Sequence, residues 1–275
     1  MKIDSLITKI AMGASPCILG LDMGYASLPL EFMRAYSDKA DAVRNFNRTL
    51  IGALCDIIPA VSVNVPALLP YGTETIADAI SYAKEKGLFT IADAKCSGEP
   101  KGAQTAAELY FDTMDADCVT VCPYFGTDGL SPLFERSDKS VFVVARAEYG
   151  SPSEVSDLVA GTRSVWRAVM ERTNRLAEDR AGQMGYSEIG VSLGGVSNAT
   201  LSELRRMYKK MPFIITGYDG DKVAARDISG AFDMKGLGGL VYVSRVLTEP
   251  EGDGAYSERV RDSAEKLARE LKICF

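Results

Sequence analysis

The chain has 275 residues, 47% hydrophobic and 25% charged, a composition that fits a globular protein with a substantial core. Its 37 acids against 31 bases give a formal charge of −6 with no Lys/Arg-rich block, which argues against a nucleic-acid partner. Histidine is absent, which excludes Ser-His-Asp and Cys-His nucleophile systems and histidine-containing zinc sites and leaves acid–base work to Lys, Asp, Glu, Tyr or Cys. The segment Met1-Lys2-Ile3-Asp4-Ser5 carries an acid where a signal peptide needs an apolar core, and no run of apolar residues is long enough to span a bilayer. A cytoplasmic protein with no membrane partner is expected. The six cysteines form no C-x-x-C pair and read mostly as small core residues.

Short apolar runs alternate with longer amphipathic segments along the whole chain. Residues 16–23 read as a first buried strand ending in Asp22. Helical spacing follows to Ile58, through Phe46, Leu50, Leu54 and Ile57. A second strand spans Ala60 to Val65. Thr73 can cap a helix whose apolar face is Ile76, Ala79, Ile80 and Ala83, with Gly87 as its stop. The third strand, Leu88 to Ala92, runs into Asp93-Ala94-Lys95. A helix near Ala103–Phe111 precedes a fourth strand from Cys118 to Cys122, and Ser140 to Ala145 is a fifth. A helix through Val165, Trp166, Val169, Met170, Leu176 and Ala177 leads to the sixth, Glu188 to Leu193. A helix around Leu201–Tyr208 leads to the seventh, Phe213 to Ile215, and the eighth spans Gly239 to Val243. The last helix, from about Gly254, carries Val260, Ala264, Leu267, Ala268 and Leu271 on one face, with expected ion pairs Asp262/Lys266 and Glu265/Arg269. Eight strands alternating with helices predict an α/β fold, a (β/α)8 TIM barrel over 1–275 as a single domain; an open doubly wound sheet is the alternative. Gly236-Leu237-Gly238-Gly239 precedes a strand and so does not fit a dinucleotide fingerprint.

Barrel enzymes carry their chemistry at the C-terminal strand tips. Here the tips hold Asp22 (first), Ser62 and Asn64 (second), Asp93 and Lys95 (third), Cys122 to Gly126 (fourth), Arg146 and Glu148 (fifth). The sixth to eighth hold Ser192 with Gly194-Gly195, residues 216–221, and Ser244-Arg245. Residues i and i+2 of a strand share a face, so Asp93 and Lys95 are expected side by side, either as a structural ion pair or as a working acid and base. Small residues and Arg245 at the last three tips suit an anionic, phosphorylated small molecule, although Arg245 could equally form a helix-start salt bridge. Cys96 beside Lys95 could be an activated thiol or a packed one. Asp22, Asp93, Asp219 and Asp221 are an alternative set of oxygen ligands for a metal.

These residues resemble the orotidine 5′-phosphate decarboxylases, particularly the longer bacterial form. The likeness rests on Phe46-Asn47-Arg48, on the segments 57–61 and 82–88, and on Asp93-Ala94-Lys95 as the front of a D-x-K-x-x-D signature. It continues in Pro123-Tyr124-Phe125-Gly126-Thr127-Asp128-Gly129 and in Val241-Tyr242-Val243-Ser244-Arg245. The resemblance implies decarboxylation of a pyrimidine nucleotide without metal or organic cofactor, in a homodimer. It implies that Asp22 contacts the ribose, that Asp93 belongs to the charged network beside the scissile carboxylate, that Lys95 protonates the carbanion, and that Arg245 binds phosphate. Asn64, Gly194, Gly217 and Ser244 complete the expected substrate-binding set.

Four positions depart from the family pattern. Ser62 stands in the place of the first lysine of a Lys-Asp-Lys-Asp network, and Gly98 in that of its last acid, with Glu99 one residue late. Glu148 replaces a base-reading serine, and Asp221 a phosphate-side glutamine with Lys222 next to it. The expected activity is therefore that of a carbon–carbon lyase on a phosphorylated, nucleotide-like molecule, with ordinary orotidylate turnover weakened. The alternative is an inactive barrel that binds such a ligand or a protein partner.

Overall fold

A computed structural model describes residues 2–147, 154–219 and 222–273. Eight parallel strands form a closed barrel: β1 (Cys17–Leu21), β2 (Ala60–Asn64), β3 (Phe89–Cys96), β4 (Cys118–Val121), β5 (Ser140–Arg146), β6 (Ile189–Gly194), β7 (Phe213–Thr216) and β8 (Gly239–Val243). Each pairs with its sequence neighbours, and β8 closes on β1 with Ile18 opposite Tyr242. Helices lie between consecutive strands, including Lys39–Leu54, Thr73–Glu85, Pro100–Ala107, Val165–Ala177, Asn198–Met207 and, after β8, Tyr256–Ile273. The fold is the expected (β/α)8 barrel.

Side-chain alternation divides the core in two. Leu19, Leu21, Val61, Val63, Val119, Val121, Val191 and Val243 point outward and pack with helix residues such as Phe46, Leu50, Ile80 and Leu267. Ile18, Ala60, Phe89, Ile91, Cys118, Phe142, Ile214 and Leu240 point inward and form a separate cluster. The inner cluster includes Ile3, Leu6, Ile7 and Ile10 of a helix, Lys2–Ala11, which the sequence reading did not anticipate. Its apolar residues recur at helical spacing and close the N-terminal end of the barrel. Two inward glycines make room for rings. A Cβ on Gly190 would come 2.4 Å from the Phe142 ring, and one on Gly20 the same distance from that of Tyr242.

Several local expectations are corrected. The helix that begins at Lys39 ends at Leu54, so Ile57 lies in the following turn. Gly72, not Thr73, occupies the cap of Thr73–Glu85, and the first-turn bond comes from Thr75, whose hydroxyl donates to the Tyr71 carbonyl at 2.8 Å. Gly87 does end that helix, at φ +75, with its N–H bonded to the Lys84 carbonyl. In the last helix Glu265 pairs at 3.4 Å with Arg261, one turn before it, on the opposite side from its expected partner Arg269.

At the N-terminal end of the barrel, Arg205 is a buried cation with no ion-pair partner among the described residues. Its guanidinium donates to the carbonyls of Ala231 (2.8 Å), Tyr208 (3.1 Å), Met211 (2.9 Å) and Gly238 (2.8 Å) and lies 3.8 Å from the centre of the Phe213 ring. Burial draws its pKa down to about 10. This side chain ties the end of Asn198–Met207 to the segments entering β7 and β8. Arg205→Ala removes a donor from four main-chain carbonyls, of which Gly238 and Tyr208 keep the N–H groups of Phe213 and Met211, so we expect unfolding in urea to show a loss of about 2 kcal/mol or more. A loss below about 1 kcal/mol would show that water replaces the guanidinium at little cost.

Candidate active site

The C-terminal end of the barrel opens into a cavity of about 700 Å³. Inward alternation brings Asp22, Ser62, Asn64, Asp93, Thr120, Arg146, Ser192, Thr216, Tyr242 and Ser244 to it, and Lys95, Gly217, Lys222 and Arg245 line the same space. Of the eight residues proposed from sequence for catalysis and binding, seven meet here. Gly194 does not line the cavity, because its carbonyl accepts Arg146 Nη1 at 2.5 Å. Glu148 and Asp221 lie outside the described residues.

Asp93 and Lys95 do meet, but not by simple strand alternation. From Ala92 to Cys96 strand β3 advances four residues while β4 advances two, from Val119 to Val121. The extra residues form a bulge, and Lys95 takes φ +47, a left-handed conformation that costs a non-glycine residue about 1–2 kcal/mol. In that bulge Lys95 Nζ reaches Asp93 Oδ2 at 2.6 Å. The other carboxylate oxygen, Oδ1, accepts the Thr120 hydroxyl at 2.7 Å, and Thr120 Oγ1 accepts the Lys95 main-chain N–H at 2.9 Å. Thr120, which the sequence reading passed over, thus links the backbone of the lysine to the carboxylate that holds its ammonium group. Its signal was present: positions 118, 120 and 122 share a face, and the reading began that tip only at Cys122.

A second acid is held in the same way from the other side. Asp22 Oδ1 accepts Ser244 Oγ at 2.6 Å and Oδ2 accepts the Tyr242 hydroxyl at 3.0 Å. Ser244 therefore bonds directly to Asp22. Asn64 caps the turn Val65–Leu68, its Oδ1 accepting the Ala67 N–H at 3.2 Å. Ser62 is buried in the wall, 4% exposed.

The rim carries the cations. Arg245 is exposed at the start of the short helix Arg245–Thr248 and has no ion-pair partner among the described residues, so the salt-bridge alternative is not realised there. Asp219 Oδ1 caps a turn by accepting the N–H groups of Lys222 (2.8 Å) and Val223 (3.0 Å). Arg146 is already engaged: Nε and Nη2 each reach Asp157 at 2.9 Å, and Nη1 reaches the Gly194 and Gly195 carbonyls. The paired guanidinium holds the Asp157 carboxyl below its ordinary range.

Of the two readings of Cys96, the packed one holds: burial pushes its thiol up to about 11, the reverse of an activated nucleophile. Among the described residues no three acidic or cysteine side chains converge closely enough to hold a metal ion. Gly98 has φ +143, and Glu99 is exposed at the start of Pro100–Ala107.

Comparison with known proteins agrees with the residue pattern. Residues 39–257 match the model of the "Orotidine 5'-phosphate decarboxylase / HUMPS family", and the chain belongs to that family. It is 31% identical over 255 residues to the orotidine 5′-phosphate decarboxylase of Clostridium perfringens, covering 90% of this chain and 88% of that one. The Clostridium acetobutylicum enzyme of the same name is 28% identical, with 99% of each chain covered. The solved OMP decarboxylase of Leishmania donovani shares the fold with TM-score 0.77 at 23% identity, covering 100% of this chain and 99% of that one.

The raised Cys96 pKa sets a reactivity. The thiolate is the form that reacts, so alkylation of Cys96 in the folded protein should be slow at pH 8 and accelerate only as the pH approaches 11. Peptide-resolved alkylation measures this, with the same cysteine in denatured protein as reference. Equal rates at pH 8 in the two states would show that the thiol is not shielded.

Proposed function

We propose that this chain is a carbon–carbon lyase of the decarboxylase type, acting on a phosphorylated, nucleotide-like small molecule with Lys95 as the proton donor. The observation that carries this reading is the Lys95–Asp93 pair in a strained bulge facing the cavity. A half-exposed ion pair contributes about 0–1 kcal/mol, less than the cost of the left-handed backbone that forms it. The ion pair alone therefore does not hold the lysine there, and such strain gathers at functional sites. The reading extends to a single barrel domain, a homodimer and a cytoplasmic setting, each supported by the family resemblance.

In the proposed reaction the bond between the substrate carbon and its carboxylate breaks and carbon dioxide leaves. The electron pair stays on carbon, and a proton passes to it from Lys95 Nζ. The lysine then regains its proton from solvent, which reaches its 48% exposed side chain. Asp93 orients the ammonium group and presents negative charge to the departing carboxylate. Asp22, with Ser244 and Tyr242 behind it, suits a sugar hydroxyl, and Arg245 with Lys222 suits a phosphate at the rim. Gly217 allows close backbone approach there at φ +90.

A second reading, a barrel that binds such a ligand or a protein partner without turning it over, draws on Ser62. A short neutral side chain occupies the wall position where the family resemblance calls for a lysine.

Incubation with orotidine 5′-phosphate, followed by its ultraviolet absorbance, separates the two. Under the first reading the protein is active and Lys95→Ala lowers kcat by about 10²–10⁴. Binding of uridine 5′-phosphate without turnover favours the second, and absence of both rejects orotidylate as the ligand. Ser62→Lys supplies a charge to the same wall and should raise turnover about tenfold or more if the missing cation limits the rate. Unchanged or lower turnover in that variant would show that the site has adapted to serine.

A further inference from the structure

We propose that Thr120 is the positioning residue of this site, fixing both the backbone and the ammonium head of Lys95. The inference rests on the reading of Lys95 as proton donor, but it concerns how the lysine is held. Thr120 lies inside the barrel on β4, 5% exposed, and its hydroxyl has a single proton to give. That proton goes to Asp93 Oδ1 (2.7 Å), while the oxygen accepts the Lys95 N–H (2.9 Å). With Asp93 Oδ2 bound to Lys95 Nζ (2.6 Å), a ring closes from the main chain of Lys95 through Thr120 and Asp93 back to its own side chain. Among the described residues, Asp93 and Lys95 Nζ have no other hydrogen-bond partner.

The ring spans the point where strand pairing fails. Between the Ala92–Val119 and Cys96–Val121 pairs the β3–β4 ladder is interrupted, and Thr120 is the β4 residue between them. Beyond the break the Cys122 N–H resumes contact with the Cys96 carbonyl at 2.8 Å. Thr120 therefore supplies from its side chain the acceptor that the Lys95 N–H would otherwise find in the ladder, and so stabilises the left-handed residue. A valine has the same shape but can neither accept nor donate, whereas a serine keeps both bonds.

The test compares Thr120→Val and Thr120→Ser with the parent protein. Two readouts do not depend on any activity: hydrogen exchange of the Lys95 amide, and acylation of Lys95 relative to Lys101, both resolved by peptide mapping. In Thr120→Val the Lys95 amide should exchange about tenfold faster, because its acceptor is gone. Lys95 acylation should rise severalfold as the ammonium group separates from Asp93, and Thr120→Ser should remain close to the parent in both. If orotidine 5′-phosphate is turned over, kcat should fall in Thr120→Val with KM little changed, and Thr120→Ser should recover it. Unchanged exchange and acylation in Thr120→Val would overturn the positioning role, even if turnover were lost. Altered exchange and acylation in a protein without turnover would leave the role standing and reject the decarboxylase reading instead.

Discussion

Eight parallel strands can close only if their inward side chains fill the space they enclose, and that requirement orders everything else in this protein. At the N-terminal end the filling is apolar: Phe89, Phe142, Ile18 and Leu240 meet, with Lys2–Ala11 beneath them. Closure continues upward through residues of the same parity, so the next inward positions are the polar ones at the mouth. Asp22, Ser62, Asp93, Thr120 and Ser244 converge because they stand an even number of residues beyond apolar neighbours already committed to the interior. The site therefore follows from the packing beneath it. Gly190 and Gly20 are part of the same arithmetic, since each leaves the volume that a ring on the facing strand occupies.

The β3–β4 bulge, like the register shift between Val144 and Arg146 in the β5–β6 ladder, breaks this regularity beside the cavity. Strict pairing would have carried the β3 tip straight past Thr120. The inserted residues turn the chain so that Lys95 folds back onto Asp93, and the cost of the left-handed residue is offset by hydrogen bonds to a carboxylate and to a buried hydroxyl. Bonds that involve a charged partner contribute about 1.5–3 kcal/mol, comparable to the strain. The balance is close, so the conformation depends on the whole ring and not on any one bond.

Periodicity made the barrel and most of the site legible. Period-two alternation and helical spacing reported the eight strands and most of the helices, and seven of the eight site residues named at the strand tips share the cavity. What stayed hidden depends on bonds between distant segments. The bulge cannot be read from Asp93-Ala94-Lys95 alone, because it is defined by how far β4 advances beside it. Arg146 was placed only at a strand tip, yet Asp157, eleven positions on, and two carbonyls of the β6 end engage it, that of Gly194 among them. In Lys2–Ala11 the helical spacing of Ile3, Leu6, Ile7 and Ile10 is interrupted by charged and polar residues such as Asp4, and the helix becomes evident only from what it closes.

The two acids of the mouth show how the cavity can do without the lysine that the family resemblance places at Ser62. A carboxylate removed from water is costly unless donors replace its hydration. Asp22 has two hydroxyl donors, from Ser244 and Tyr242, and Asp93 has one hydroxyl and one ammonium. Three of the four donors are neutral. A neutral donor satisfies a carboxylate oxygen without cancelling its charge, so the interior keeps more net negative potential than an alternating Lys-Asp-Lys-Asp network would leave it. Such a wall disfavours a substrate that places its own carboxylate deep beside Ser62 and favours one that carries its negative charge at the rim, near Lys222 and Arg245. Under the proposed function, Ser62 would act on which molecule enters, and the Asp93–Thr120–Lys95 ring on what happens to it once inside.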